Sequence, residues 1–413
     1  MSQVTAVIVG AGQAGLAMSY CLSELGVEHV VLERGRIAEG WRSHSWDSLR
    51  LLTPNWMTRL PGFGYDGDDP DGFMSVPELI ECLERYAAAS GAPVVTDTTV
   101  QRVERLNDRF QVTTNRGIWS ASAVIAATGY CDLPAVPMTS GTLPPSIVQV
   151  IPVDYRNPAQ LPSGDVLVVG ASSTGIQLAD EIHRSGRPVT LAVGRHTRLP
   201  RRYRGKDIFW WLDRLGLLDQ DVSTVHAIDI SREQPSLQLV GSPEHVSLDL
   251  AILHGRGVRL AGRVVNADND AVYFAEDLVA TTAAADVKLA DLRRRIDSFI
   301  DERGLPAVEP EPFVPTWPLA MHPPPIRRVG TQELKTVIWA TGYRRAYPWL
   351  PESVLDERGE IKHERGVTVE RGLYVLGLNF QQRRSSSFIH GVGADARWIA
   401  HHLAASVDVT RVA

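Results

Sequence analysis

The sequence predicts an α/β protein with two Rossmann-like dinucleotide-binding domains, the first discontinuous around the second. Three observations predict it. Two glycine-rich turns, at 10–15 and 170–175, each follow a short β-branched run and open a helical pattern. The 413 residues leave room for two to three domains. Prolines concentrate within 133–162 and 310–325, where helices cannot pass and the chain is expected to cross between domains.

The first unit begins with Val4-Thr5-Ala6-Val7-Ile8-Val9, an apolar run suited to a buried parallel strand. It leads into Gly10-Ala11-Gly12-Gln13-Ala14-Gly15 and then a helix that Gly26 is placed to end. Gly10 permits the tight turn, Gly12 lets the backbone approach a pyrophosphate, and Gly15 allows helix to pack closely on strand. Free N–H groups at the helix start suit a phosphate. A second strand at 27–32 ends at Glu33, about 20 residues beyond Gly10, where an acid accepts hydrogen bonds from ribose hydroxyls.

The second unit repeats the plan with one change. The strand 166–169 leads to Gly170-Ala171-Ser172-Ser173-Thr174-Gly175, with Ser172 in place of the middle glycine. A helix at 176–184 and a strand at 189–193 follow. The tip of that strand carries no acid but reads Gly194-Arg195-His196-Thr197-Arg198, with Arg201, Arg202 and Arg204 close behind. Arginine pairs with a 2′-phosphate, which an acid would repel. NADPH is therefore expected over NADH, with Arg195 as first contact, while FAD suits the acidic first site. Two such sites in one chain point to a flavoprotein that receives hydride from a nicotinamide.

Composition narrows the remaining classes. Hydrophobic residues at 44% and charged residues at 22% are those of a globular protein. A net charge of −6 argues against a nucleic-acid partner. The three cysteines, Cys21, Cys82 and Cys131, are too far apart for a CxxC redox pair or a zinc ribbon, and no His/Cys/carboxylate set has metal spacing. The longest uncharged stretch, 133–153, is broken by prolines, so no membrane partner is expected. No secretory leader is expected either, and the location is read as cytoplasmic.

The two glycine motifs, Ala127-Thr128-Gly129-Tyr130, Ala340-Thr341-Gly342-Tyr343 and the segment Gly372-Leu373-Tyr374-Val375-Leu376-Gly377 before Gly391-Val392-Gly393-Ala394-Asp395 together resemble the flavin-containing monooxygenase family (class B flavoprotein monooxygenases, including Baeyer–Villiger and N-hydroxylating relatives). The resemblance covers essentially the whole chain. It implies an FAD domain formed by 1–155 and 326–413 around an NADPH domain at 156–325. The portion 203–313 of that inner domain would shape the substrate pocket. It further implies that FAD, reduced by NADPH, forms a C4a-(hydro)peroxide with O2. That species would oxygenate a small lipophilic molecule at nitrogen, sulfur or an electron-rich carbon. A homodimer is compatible with it.

The family match also assigns residues near the cofactors. Gly10, Gly12, Gln13, Ala14, Gly15, Glu33, Arg34, Trp41, Arg42, Thr53, Thr128 and Gly129 are expected at FAD. Gly170, Ser172, Ser173, Thr174, Gly175 and Arg195 are expected at NADPH, with Thr341, Gly342 and Tyr343 where the chain returns to the FAD domain. Asn55 matches the family's catalytic asparagine, implied to stabilise the reactive flavin. The family's interdomain histidine is replaced by Ile151 before Tyr155-Arg156-Asn157-Pro158, so other groups must couple the domains. Arg384 and Ser387 belong to a polar loop that is either solvated or near the flavin. His390 is read as packing at a helix start, and Phe209-Trp210-Trp211 as a core stripe or an aromatic wall. Three other functions stay open: an NADPH:acceptor oxidoreductase, a Baeyer–Villiger enzyme, or a non-catalytic nucleotide-binding regulatory subunit.

Overall fold

The computed structural model describes residues 1–131, 133–225, 232, 234–305 and 326–412, with side chains to 406 in the last helix. Two parallel sheets carry it, and each grows from one of the glycine units.

In the first sheet the parallel strands run in the order Leu373–Val375, Gly117–Ala126, Ser2–Val9, His29–Leu32, Val94–Val95. The period of two along Ser2–Val9 sorts its side chains. Ala6 and Ile8 face the helices Gln13–Glu24, Val76–Ala89 and Ile389–Val412, while Val7 and Val9 face the opposite layer with Val103, Phe110 and Leu350. Ser75 and Glu78 close a capping box at the start of Val76–Ala89, so this helix begins where local chemistry dictates.

The second sheet is parallel throughout, in the order Val148–Val150, Leu334–Trp339, Asp165–Val169, Val189–Ala192, Arg259–Ala261. Val166, Val168 and Ile338 pack against Ile176, Ala179 and Ile182 of the helix Ser173–Arg184. On the other face, Leu167, Val337 and Trp339 meet the small antiparallel sheet Val264–Ala267, Ala271–Phe274, Arg328–Gly330. Beyond lie the helix Ile208–Arg214 and a 26-residue helix, Leu278–Arg303.

Sheet membership moves both expected domain boundaries. Val148–Val150 already belongs to the second sheet, so the first crossing lies before 148 rather than at 155. Leu334–Trp339 sits between Val148–Val150 and Asp165–Val169, so the chain returns after 339 rather than at 326. The cause is burial: Val337, Ile338 and Trp339 are apolar on both faces, which suits a central parallel strand. The two crossings then pair with each other, Leu133–Pro134 running antiparallel to Tyr343–Arg344. The proline-rich stretch 310–325 lies outside the described residues.

Candidate active site

The two glycine turns are built alike. Gly10 has φ +106° and Gly170 φ +107°. A Cβ on Gly15 would lie 1.8 Å from the Gly10 carbonyl oxygen, and one on Gly175 would lie 1.8 Å from that of Gly170. Those contacts fix helix against strand at the closeness only glycine allows. A Cβ on Gly12 would meet nothing within 4 Å, so space is open above the first helix. Neither Gln13–Glu24 nor Ser173–Arg184 has a side-chain cap, so the first N–H groups of each remain for an anion. Ala14 is buried within the first helix. Ser173 and Thr174 open the second, and the Ser172 hydroxyl at its N-cap makes no capping bond.

The strand tips differ, and hydrogen bonds align them. Gly10 N donates to Leu32 O and Gly170 N to Ala192 O, so Glu33 in the first fold corresponds to Val193 in the second. Glu33 is buried, with Oε2 accepting from Ala11 N at 2.7 Å and Oε1 from Gly35 N at 2.9 Å. These bonds hold the carboxylate beside the glycine turn, and each oxygen keeps acceptor capacity for a ribose hydroxyl. Val193 is fully buried and offers no charge. Arg195, beyond it, is exposed.

The segment after Glu33 folds back over the first turn. Ala38 N donates to Ala11 O, and Trp41 Nε1 donates to Gln13 Oε1 at 3.3 Å, bringing Trp41 to the helix start. Arg42 pairs with Glu84 and donates to Ile37 O. Arg34 is exposed beyond Glu33. Thr53 is half-buried. Asn55 is buried, with Nδ2 donating to Asp69 O at 2.9 Å and Oδ1 accepting from Met74 N at 2.8 Å. Here its amide latches the 69–74 loop.

The two Ala-Thr-Gly segments serve one fold each. Ala127 O lies 2.7 Å from where a Gly10 Cβ would be, and Ala340 O lies 2.2 Å from that of Gly170. Thr128 is exposed and Gly129 has φ +80°. Thr341, Gly342 and Tyr343 build the crossing instead. Thr341 Oγ1 donates to Ala135 O at 2.6 Å, Gly342 O accepts from Ala135 N, and Tyr343 pairs with Pro134.

The basic run after Arg195 turns inward. Arg198 is paired with Asp249 and Asp286, and Arg204 with Asp297. Arg201 is fully buried, paired with Asp207 at 2.8 Å, and donates to Leu52 O at 2.7 Å. Its guanidinium lies 4.8 Å from the Phe73 ring centre and 5.4 Å from that of Phe209. Arg202 stays exposed and donates to Gly205 O. Phe209 and Trp211 are buried in a cluster with Met57, and Leu52, Trp56 and Phe388 pack against it. The stripe is therefore core, but a core that joins the inner domain to the loop at 52–57.

Three further devices join the domains. Arg156 donates to the carbonyls of Ser43 and Ser45, and Asn157 Nδ2 to Asp47 Oδ2 at 2.7 Å. Glu181 accepts from Tyr155 and from Ser48. These contacts supply the coupling for which Ile151 has no polar group. Residues 218–222 also hydrogen-bond the loop at 382–385, and Asp221 takes a two-pronged bond from Arg365. That loop is not solvated: Gln381, Gln382, Ser385 and Ser386 are buried, and Arg384 donates to Gln220 at 2.8 Å. Ser387 is buried as well. His390 sits in the first turn of the last helix beside Phe388, and burial pushes its pKa down to about 4.

Asp395 in that helix is fully buried with Arg383 Nε 3.4 Å away, and burial pushes its carboxyl up to about 6. A raised acid holds its proton in the native state between pH 3.8 and about 6, where the unfolded chain has lost it. Stability therefore falls as pH rises through this window. Asp395→Asn is expected to remove that slope and to stabilise the protein by about 1–3 kcal/mol at pH 7. Melting temperatures of both proteins from pH 4 to 7.5 check it.

Among the described residues, no cluster of His, Cys, Asp and Glu could hold a metal ion, and no helix is long and apolar enough to cross a membrane. Cys21, Cys82 and Cys131 are all free.

Comparison with known proteins agrees with this geometry. The family model described as pyridine nucleotide-disulphide oxidoreductase matches residues 7–212, which spans both glycine turns. An uncharacterized CzcO-like oxidoreductase of Geobacillus kaustophilus is 32% identical over 97% of this chain and 98% of its own length. The probable indole-3-pyruvate monooxygenase YUCCA4 of Arabidopsis thaliana is 29% identical over 49% of this chain and 50% of its own. A flavin-containing monooxygenase from Stenotrophomonas maltophilia has the same fold, with a TM-score of 0.68 at 19% identity over 98% of this chain and 99% of that one. The match to the CzcO-like oxidoreductase, 32% identical over nearly the whole of both chains, shows that this chain belongs to that oxidoreductase family, and its fold is the one seen in flavin monooxygenases.

Proposed function

We propose that the protein is an NADPH-dependent FAD monooxygenase that oxygenates a small lipophilic molecule at nitrogen, sulfur or an electron-rich carbon. The observation that carries this reading is the contrast between the two strand tips: buried Glu33 in the first fold, Val193 followed by exposed Arg195 in the second. The acid favours a dinucleotide with a free ribose diol, and the arginine favours one carrying a 2′-phosphate.

FAD and NADPH fit the residues present, since open space lies above Gly12 and the first turns of both helices are uncapped by side chains. Bound flavin would supply hydride acceptance and oxygen activation; the chain supplies place and shelter. Gly10, Gly12 and Gly15, with the N–H groups from Gln13 onward, would bind the FAD pyrophosphate, and Glu33 its ribose. Gly170, Ser172 and Gly175 would do the same for NADPH, with Arg195 on its 2′-phosphate. Trp41 would wall the flavin, and Asn55 would hold the 52–57 loop in place by its two hydrogen bonds to the 69–74 segment. The apolar cluster of Met57, Phe209 and Trp211, with Phe388 against it, would keep water from the reacting atoms. Three unpaired cysteines suit a reducing compartment such as the cytoplasm.

Incubation with NADPH, O2 and a panel of amines, sulfides, indoles and ketones tests the reading. The expected result is NADPH consumption matched by a product carrying one oxygen atom from O2. Turnover only with an added quinone or ferredoxin-type acceptor would instead identify an acceptor oxidoreductase.

A further inference from the structure

A 2′-phosphate carries close to two negative charges at neutral pH, and a single exposed arginine leaves one of them without a cation. The basic run supplies only Arg195, because Arg198, Arg201 and Arg204 are committed to carboxylates and Arg202 to a hairpin carbonyl. The strand next to Val189–Ala192 supplies another. Arg259–Ala261 runs parallel to it with Ala192 opposite Ala261, so continuing that register places Gly194 opposite Arg263.

Side-chain geometry agrees. A Cβ on Gly194 would lie 3.6 Å from Cγ of Arg263 and 3.9 Å from its Cδ, so the Arg263 stem crosses the backbone immediately before Arg195. Asp277 fixes this arginine from behind. Its Oδ1 accepts from Arg263 N at 3.1 Å and its Oδ2 from Arg263 Nε at 2.7 Å. The two terminal nitrogens keep their donors, on a side chain that is 62% exposed. The neighbouring His196 does not compete: it is buried, its Nδ1 pairs with Gly194 O at 3.0 Å, and burial lowers its pKa.

We propose that Arg263 is the second arginine of a 2′-phosphate site, facing Arg195 across the strand tips and positioned by Asp277. The site recognises a ribose 2′-phosphate monoester next to an adenine. This inference rests on the NADPH reading and deepens it. Recognition of the 2′-phosphate is divided between two strands far apart in sequence, so either arginine alone gives partial selectivity.

Equilibrium titration of the flavin-loaded protein with adenosine 2′,5′-bisphosphate and with AMP tests this without turnover. The wild-type protein is expected to favour the bisphosphate, and Arg263→Met to lose about 10–100-fold of that ratio with AMP affinity unchanged. Methionine keeps the apolar stem over Gly194, and the flavin absorbance spectrum reports that the variant is folded. Arg263→Lys should recover part of the ratio, and Asp277→Asn should lie between wild type and Arg263→Met. A ratio intact in Arg263→Met but collapsed in Arg195→Met would overturn the role of Arg263 and leave the NADPH reading standing. Equal affinity of the wild-type protein for both probes would overturn the NADPH reading itself.

Discussion

Gly10→Ala is expected to give a protein purified without flavin, whereas Gly170→Ala should keep its flavin and lose reduction by NADPH at least about 100-fold. Both glycines hold φ near +106° to +107°, a region that L side chains rarely adopt. The conformation alone costs an alanine about 1–3 kcal/mol. The added methyl also meets backbone: Ala127 O at 2.7 Å in the first fold and Ala340 O at 2.2 Å in the second. Each carbonyl ends a strand buried in a parallel sheet, so it cannot step aside without moving the Ala-Thr-Gly segment. The helix start that receives the phosphates moves with the turn. The ratio of flavin to protein absorbance checks the first variant, and anaerobic reduction by NADPH checks the second. Loss of flavin from both would mean that the two folds do not act on separate dinucleotides.

Arg201→Leu is expected to destabilise the protein by about 3–5 kcal/mol, because Asp207 is left charged and buried without its partner. The two side chains are 1% and 10% exposed, and burial already pushes the Asp207 carboxyl up and Arg201 down. Arg201 also donates to Leu52 O and lies between the Phe73 and Phe209 rings, so its loss should loosen the 52–57 loop from the inner domain. Urea unfolding measures the cost. The double variant Arg201→Leu/Asp207→Leu should recover part of it, since no buried charge is left unpaired although Leu52 O and Phe209 N lose their partners.

These residues show which parts of the molecule local sequence encodes. The strand–turn–helix units were legible because glycine spacing, a β-branched run and a helical pattern all act within some 30 residues. The acid at Glu33 and its absence from the second tip were legible for the same reason. The direction of the arginines was not. A run of basic residues carries no sign of which will face solvent, and the carboxylates that draw Arg198 and Arg201 inward include Asp249 and Asp286, far along the chain.

Boundaries failed for a related reason. Prolines mark where a helix must stop, but a parallel strand is assigned to its sheet by partners distant in sequence. Val148–Val150 and Leu334–Trp339 are neighbours in one sheet although nearly two hundred residues separate them. The composition of the polar loop at 381–387 left it open between solvent and the flavin; it is buried because residues 218–222 supply its backbone partners. Arg263 carried a weak signal in the apolar run Val258-Arg259-Leu260-Ala261, which reads as a third strand once the sheet is known.

Under the proposed function, the protein would reduce its flavin with NADPH and then use O2 to oxygenate a substrate. Stopped-flow absorbance of the NADPH-reduced protein mixed with oxygenated buffer tests it most directly. Reoxidation is expected in two spectral phases, the second hastened by a substrate that leaves with one added oxygen atom. Reoxidation in a single phase, with hydrogen peroxide equal to the NADPH consumed and no oxygenated product, would contradict it.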